Sequence, residues 1–313
     1  MELAPVHDAF LAYLDLECAR SSQTLTSYAS DFRQFLSFLA ETSRRPEVGG
    51  MDRQAVRAYV TWLRQRRLSV PTVSRHLASL RSFWKYVRDG GYTEHDPFVR
   101  VSVPKRAKPL PVCLSASEAE AMLRAAGEQP NPLKAVRDTA ALAVLVFAGL
   151  RRNELLGLRL PAVDLVEGTL RIEHGKGDKA RMVPLSLRPR VALADWLGVR
   201  PETGHDFVFT SVDRRPLARK GLMGLFRRAL VRAGVSRPGV VLHSLRHTAA
   251  TLLLQGGCDL RSLQRLLGHS RLDTTAHYLS LTMGDLHRAV ARHPLAGVVG
   301  DEQLDSVPLL RVV

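Results

Sequence analysis

The sequence predicts a mainly α fold in two parts, the second of which carries a small antiparallel β-sheet. Three observations lead there. Apolar residues recur at helical spacing through residues 1–102. A proline-rich and basic stretch, VPKRAKPLPV at 103–112, then breaks the pattern and reads as an extended linker. Beyond it, helical segments surround one stretch, GTLRIEHGKGDKARMVPL, that reads as two strands about a Gly-rich turn. The expected division is a helical bundle over 1–102, a linker over 103–112 and a second domain over 113–313.

In the first part, AFLAYLDLECA carries an apolar stripe, and SSQTLTSYASDFRQFLSFLAE opens on N-cap residues. MDRQAVRAYVTWLRQRR and SVPTVSRHLASLRSFWKYVRDGG follow, the last stopped by Gly90-Gly91. About four helices result. In the second part, SASEAEAMLRAAG has the spacing of a capping box, with Glu118 three residues after Ser115. DTAALAVLVFAGL reads as a central buried helix and RRNELLGLR as a short one. After the strand pair come a helix at RPRVALADWLG, a short strand at DFVFT and a helix at RKGLMGLFRRALVRAG. HSLRHTAATLLLQGG, DLRSLQRLLGH and RLDTTAHYLSL complete the set as helices.

The chain holds 45 Lys+Arg against 30 Asp+Glu, a net charge of +15 with a pI near 10.5. Such an excess points to a polyanion, most often nucleic acid, although an arginine-rich proteome also yields basic proteins. The polar faces of the first part add Arg53, Arg57, Arg64, Arg66, Arg67, Arg75, Arg81 and Lys85, a basic surface suited to nucleic-acid contact. Cys18, Cys113 and Cys258 form no CxxC pair and no disulfide framework, as in a reducing cytoplasm. The start, MELAPVHDAF, lacks the pattern of a signal peptide. The longest apolar stretch, 139–150, is too short to span a bilayer, so no membrane role is expected.

The chemistry gathers around HSLRH, 243–247. On a helix, His243, Arg246 and His247 share one face. Three cationic or protonatable groups there call for an anion, a phosphate or a carboxylate, or for a metal. No GxxxxGK[ST] motif is present, and GKGDK sits in a hairpin rather than before a helix. The HxxxH spacing lacks the glutamate of a zinc site, since Ser244 stands there, and no acidic cluster suits paired magnesium ions. Neither metal nor cofactor is therefore expected. Arg151 and Arg152, in AGLRRNEL, and Arg246 offer planar forks that grip phosphate oxygens. Seven of the 45 basic residues are lysines, and Lys176 and Lys179 fall in the GKGDK turn. A lysine there is either a general acid for a leaving oxygen or a solvated turn residue. His269 and Tyr278 lie in LLGHSRLDTTAHYLS; a tyrosine becomes a nucleophile only beside a base or a positive field, and is otherwise a packing residue.

Together, AGLRRNELLGLR, GKGDKARMVPL, HSLRH and LGHSRLDTTAHY resemble the four signature boxes of the tyrosine recombinase (phage integrase) family, in order and separation. The resemblance covers nearly the whole chain and is most similar to the Xer-type subgroup. It implies a core-binding, SAM-like helical domain ahead of a tyrosine recombinase catalytic domain. It also implies cleavage and rejoining of double-stranded DNA at a specific site, by a homo- or hetero-tetramer on two DNA sites. Carried over residue by residue, the phosphate-binding arginines are Arg151 and Arg246, the lysine Lys176, the histidines His243 and His269, and the nucleophile Tyr278. Glu154 corresponds to the supporting acid of the first box. The boxes depart from the common pattern in AGLR, NEL and His277. A type IB topoisomerase-like nicking and closing enzyme shares this chemistry, and a DNA-binding regulator on a decayed recombinase is the non-catalytic alternative. Beyond Tyr278, MGDLHRAVARH (283–293) reads as a short helix with Met283, Leu286 and Val290 on one side, suited either to docking on a neighbouring protomer or to packing on its own domain or fraying as termini do.

Overall fold

A computed structural model of the chain describes residues 1–101, 112–173 and 180–268. The chain divides into two compact units, Met1–Lys108 and Pro109–Val313. The GKGD turn, the helix expected at RLDTTAHYLSL and the 283–293 segment lie outside the described residues, as does nearly all of the 103–112 stretch.

Among its described residues, the first unit contains four α-helices, α1 (Leu3–Leu16), α2 (Ser22–Glu41), α3 (Arg53–Gln65) and α4 (Val70–Asp89). Each start has a local cause in the last three. The side chains of Ser21, Asp52 and Ser69 accept hydrogen bonds from backbone N–H groups of the first turn, which otherwise lack partners. Pro71 sits in the first turn of α4, where its missing N–H costs nothing. Gly90 ends α4, and Gly91 takes the left-handed conformation (φ +72°) that turns the chain away. The core is aromatic: Phe10, Phe32, Phe35, Phe38, Tyr59, Phe83 and Trp84 are buried together. Each such side chain stabilises the unit by about 1.5–3 kcal/mol through lost apolar hydration.

All eight basic residues named for this unit's surface are exposed. Three of them are already engaged. Arg66 pairs with Glu41 at 2.7 Å and lies 3.5 Å over the Trp62 ring. Arg75 pairs with the buried Asp31, and Arg81 donates to the Val101 carbonyl.

In the second unit, α5 (Ala116–Gly127) opens with the expected box. Ser115 Oγ accepts from the Glu118 N–H at 3.1 Å, and Glu118 Oε2 accepts from the Ser115 N–H at 2.7 Å. The second half of α6 (Pro132–Phe147) is apolar on all sides, with 140–146 buried throughout, so it must be surrounded. Its neighbours are α5, α8 (Leu187–Val199), α9 (Arg219–Arg232) and α10 (Leu242–Gln255). Between them run the short α7 (Arg152–Leu156) and a three-stranded antiparallel sheet in the order β1 (Val163–Asp164), β2 (Thr169–Ile172), β3 (Arg181–Pro184). Leu170 faces Val183, and Ile172 faces Arg181. α11 (Leu260–Leu267) ends the described chain, against α10 and β3.

Two elements differ from expectation. β1 adds a third strand to the pair read from the sequence. DFVFT is not a strand: Phe207 makes an isolated bridge with Arg159, and Thr210 one with Pro216. Val208 and Phe209 are buried, so their side chains account for the apolar run. Among the described residues, no neighbouring backbone continues the ladder.

Candidate active site

Three chain segments converge where α6 ends. The turn into α7 is set by Gly149, at φ +62°. A Cβ there would stand 2.6 Å from Leu267 Cδ2 and 3.3 Å from the Ala249 Cβ, so α10 and α11 approach this closely only over a glycine. Arg151 follows as the N-cap of α7. Three residues on, Glu154 turns back, and its Oε2 accepts from the Arg151 N–H at 2.7 Å.

α10 supplies His243 and Arg246. Arg246 is only 2% exposed, although it shares a helix face with His243 and His247. Its Nη1 donates to the Gly149 carbonyl at 2.6 Å and its Nη2 to the Leu267 carbonyl at 2.5 Å. Leu242 and Leu245 are buried, whereas Leu252, Leu253 and Leu254 are only half-buried.

α11 begins at Asp259, whose carboxylate accepts from the Arg261 and Ser262 N–H groups. It ends at Gly268 in the left-handed conformation, φ 64°. The carbonyls at a helix end have no intrahelical donor and carry the negative pole of its dipole. Here guanidinium groups meet three in succession. Arg181 Nε donates to Leu266 at 2.9 Å, Arg246 to Leu267, and Arg151 Nη2 to Gly268 at 2.7 Å.

Glu154 is the buried counter-charge. Its carboxylate takes Arg151 Nη1 at 2.7 Å and both Arg181 terminal nitrogens at 2.8 Å. Burial alone would push its carboxyl up; hydrogen bonds from Arg181 and from the Arg151 backbone, with the nearby positive charge, overcome this and hold it at about 2. It is ionised throughout the physiological range.

Arg151, Arg152, His243 and Arg246 line one cavity of about 420 Å³, with Leu145, Leu150, Asn153 and Leu242. That is many times the ~30 Å³ share of one water. Burial lowers the His243 pKa, and Arg246, Arg151 and Arg152 lower it further, so the ring is neutral at pH 7 and able to accept a proton. His247 stands edge-on to His243, ring centroids 4.7 Å apart. Burial, then His243 and Arg246, take it down to about 4. Among the described residues no three His, Cys, Asp or Glu side chains cluster as metal ligands.

Of the seven residues named from the sequence, the structure brings Arg151, Glu154, His243 and Arg246 together. Lys176, His269 and Tyr278 lie outside the described residues. Arg181 was missed, though strand alternation contained the signal: it lies two residues from the buried Val183, hence on the same face of β3.

Two family models match the chain: "Phage integrase family" over residues 113–284, and "Phage integrase, N-terminal SAM-like domain" over 7–91. The chain belongs to the phage integrase family. The expected recombinase class and two-part helical fold stand with it. Among relatives, tyrosine recombinase XerD of Pseudomonas aeruginosa is 36% identical over 92% of this chain and 97% of its own. XerD of Listeria monocytogenes serotype 4b is 33% identical over 92% and 98%. Among solved structures, the Tn1549 transposon integrase in complex with a circular-intermediate DNA superposes with a TM-score of 0.78, covering 94% of this chain and all of that one. At 17% identity that likeness concerns the fold. No described helix is long and apolar enough to cross a membrane.

Proposed function

We propose that this protein is a site-specific DNA recombinase that breaks and rejoins duplex DNA through a covalent 3′-phosphotyrosyl bond to Tyr278. One observation carries the reading: Arg151, from the start of α7, converges with His243 and Arg246 of α10 on one cavity. Guanidinium groups anchored on backbone carbonyls are preorganised donors, which stabilise charge developing on a phosphoryl group without reorganising during the reaction. Arg151 and Arg246 hold the scissile phosphate and its pentacovalent state. His243, neutral at pH 7, receives the proton as Tyr278 attacks phosphorus, and the P–O bond to the 5′-oxygen breaks. Lys176 protonates that leaving oxygen, and His269 donates a hydrogen bond to a phosphate oxygen. The phosphotyrosyl ester conserves the energy of the broken bond, so attack by a 5′-hydroxyl reseals DNA without ATP.

The helical unit over 1–102 binds the same duplex, the remainder from 113 onward carries the chemistry, and 103–112 links them. Double-stranded DNA is the partner, four protomers act on two sites, and the reaction runs in the cytoplasm. The excess of positive charge supports this, as do relatives that are tyrosine recombinases and a neighbouring integrase fold held on DNA.

A suicide substrate nicked beside the scissile bond tests the reading. Wild type should give a covalent adduct on a denaturing gel, in EDTA as in magnesium. Tyr278→Phe should bind the same DNA and give none. An adduct in that variant, or complete dependence on a divalent ion, would overturn the mechanism.

A further inference from the structure

We propose that Arg181 is a positioning residue for strand cleavage, fixing Glu154 and the carboxyl end of α11 so that Arg151 and Arg246 keep their phosphate-binding geometry. The proposal rests on the recombinase reading above. Arg181 is on β3, and its side chain is 11% exposed. Two of its nitrogens clamp the two oxygens of Glu154, and the third donates to the Leu266 carbonyl. It also lies flat against Gly268, where an added Cβ would come within 3.0 Å of its Nη1. Each phosphate-binding arginine is thus one bond removed from something Arg181 holds. Arg151 is reached through Glu154 and through the Gly268 carbonyl, and Arg246 through the Leu267 carbonyl of the same turn.

The sharing of Glu154 matters most. A carboxylate and a guanidinium prefer to close a two-pronged pair. Arg181 occupies that geometry, so the Arg151 side chain gives Glu154 only its Nη1, at 2.7 Å. Remove Arg181 and Glu154 is left with Arg151 as its strong partner, and will draw the whole fork away from the cavity. Lysine cannot replace Arg181, because one ammonium on a flexible stem does not span both carboxylate oxygens and a carbonyl in a fixed plane.

Single-turnover cleavage of the nicked substrate at saturating protein, beside half-site affinity from gel shifts, tests this. Arg181→Ala should lower the cleavage rate about tenfold or more, since a misplacement of about 1 Å can cost up to about a hundredfold, with affinity nearly unchanged. Guanidinium ion at tens of millimolar should restore part of the rate, and methylammonium should not. Should Arg181→Ala lose half-site binding through misfolding, Arg181→Lys carries the test, with the same loss of rate expected. A wild-type rate in whichever variant folds overturns the proposal. So does a defect that lies wholly in affinity, or a rate that methylammonium restores as well as guanidinium. Absence of an adduct with wild type itself would refute the recombinase reading instead.

Discussion

Replacing Glu154 with glutamine removes the charge at the centre of the arginine cluster while keeping its size. The acid's ordinary value of 4.5 falls to about 2 in the fold. That drop corresponds to roughly 3 kcal/mol of stability at neutral pH, at about 1.4 kcal/mol for each tenfold. Because the folded value is the lower one, this contribution is complete above 4.5 and disappears as pH falls toward 2. At pH 3.5 the same relation leaves about 2 kcal/mol. Glutamine does not titrate, so the stability gap between wild type and Glu154→Gln should narrow by roughly 1 kcal/mol between pH 7 and pH 3.5. At pH 7 the gap itself should be about 3–5 kcal/mol, since the change leaves Arg151 and Arg181 facing a neutral amide in a buried site. Urea unfolding followed by circular dichroism, with a separate transition fitted for each unit, measures both. A gap of the same size at the two pH values would show that Glu154 is not held ionised by its arginines.

Gly149→Ala should destabilise the second unit by about 2–5 kcal/mol, from left-handed strain of about 1–2 and overpacking of about 1–3 kcal/mol. An unchanged urea midpoint for that transition would contradict the close approach of Leu267. The cleavage rate of wild type should be level between pH 7 and 8 and fall below 6.5, as His243 gains a proton at its lowered pKa. His243→Gln should be slower and lose that acid limb. If the limb survives unchanged, another group is the proton acceptor.

How much of this was legible varied with the range of the interactions involved. Local rules placed the apolar second half of α6 and the Ser115–Glu118 box, because both depend on neighbours within a few residues. DFVFT misled because a short apolar run gives burial but not pairing; Phe207 finds a single backbone partner, at Arg159. The surface of the first unit was read correctly as exposed and basic. Its internal pairings were not, since Arg75 meets Asp31 across 44 positions. In the second unit, HSLRH showed a shared face but not that Arg246 is buried. The carbonyls that hold it lie 97 and 21 positions away. Periodicity carries no information about such distant acceptors. Arg181 is intermediate: its inward face was readable from β3, but its partners were not.

The last turn of α11 is held by side chains that enter at residues 151, 181 and 246, and it closes only at Gly268. A chain emerging from the ribosome meets these points in that order, and domains fold as units from the N-terminus during synthesis. The first unit, complete by Lys108, is therefore finished before any residue lining the cleft around Arg151 and Arg246 has been made. A polypeptide interrupted between residues 246 and 267 carries both arginines without the carbonyls of Leu267 and Gly268 that help to aim them. Such a fragment has charge enough to cling to a chromosome, but no assembled apparatus with which to cut it.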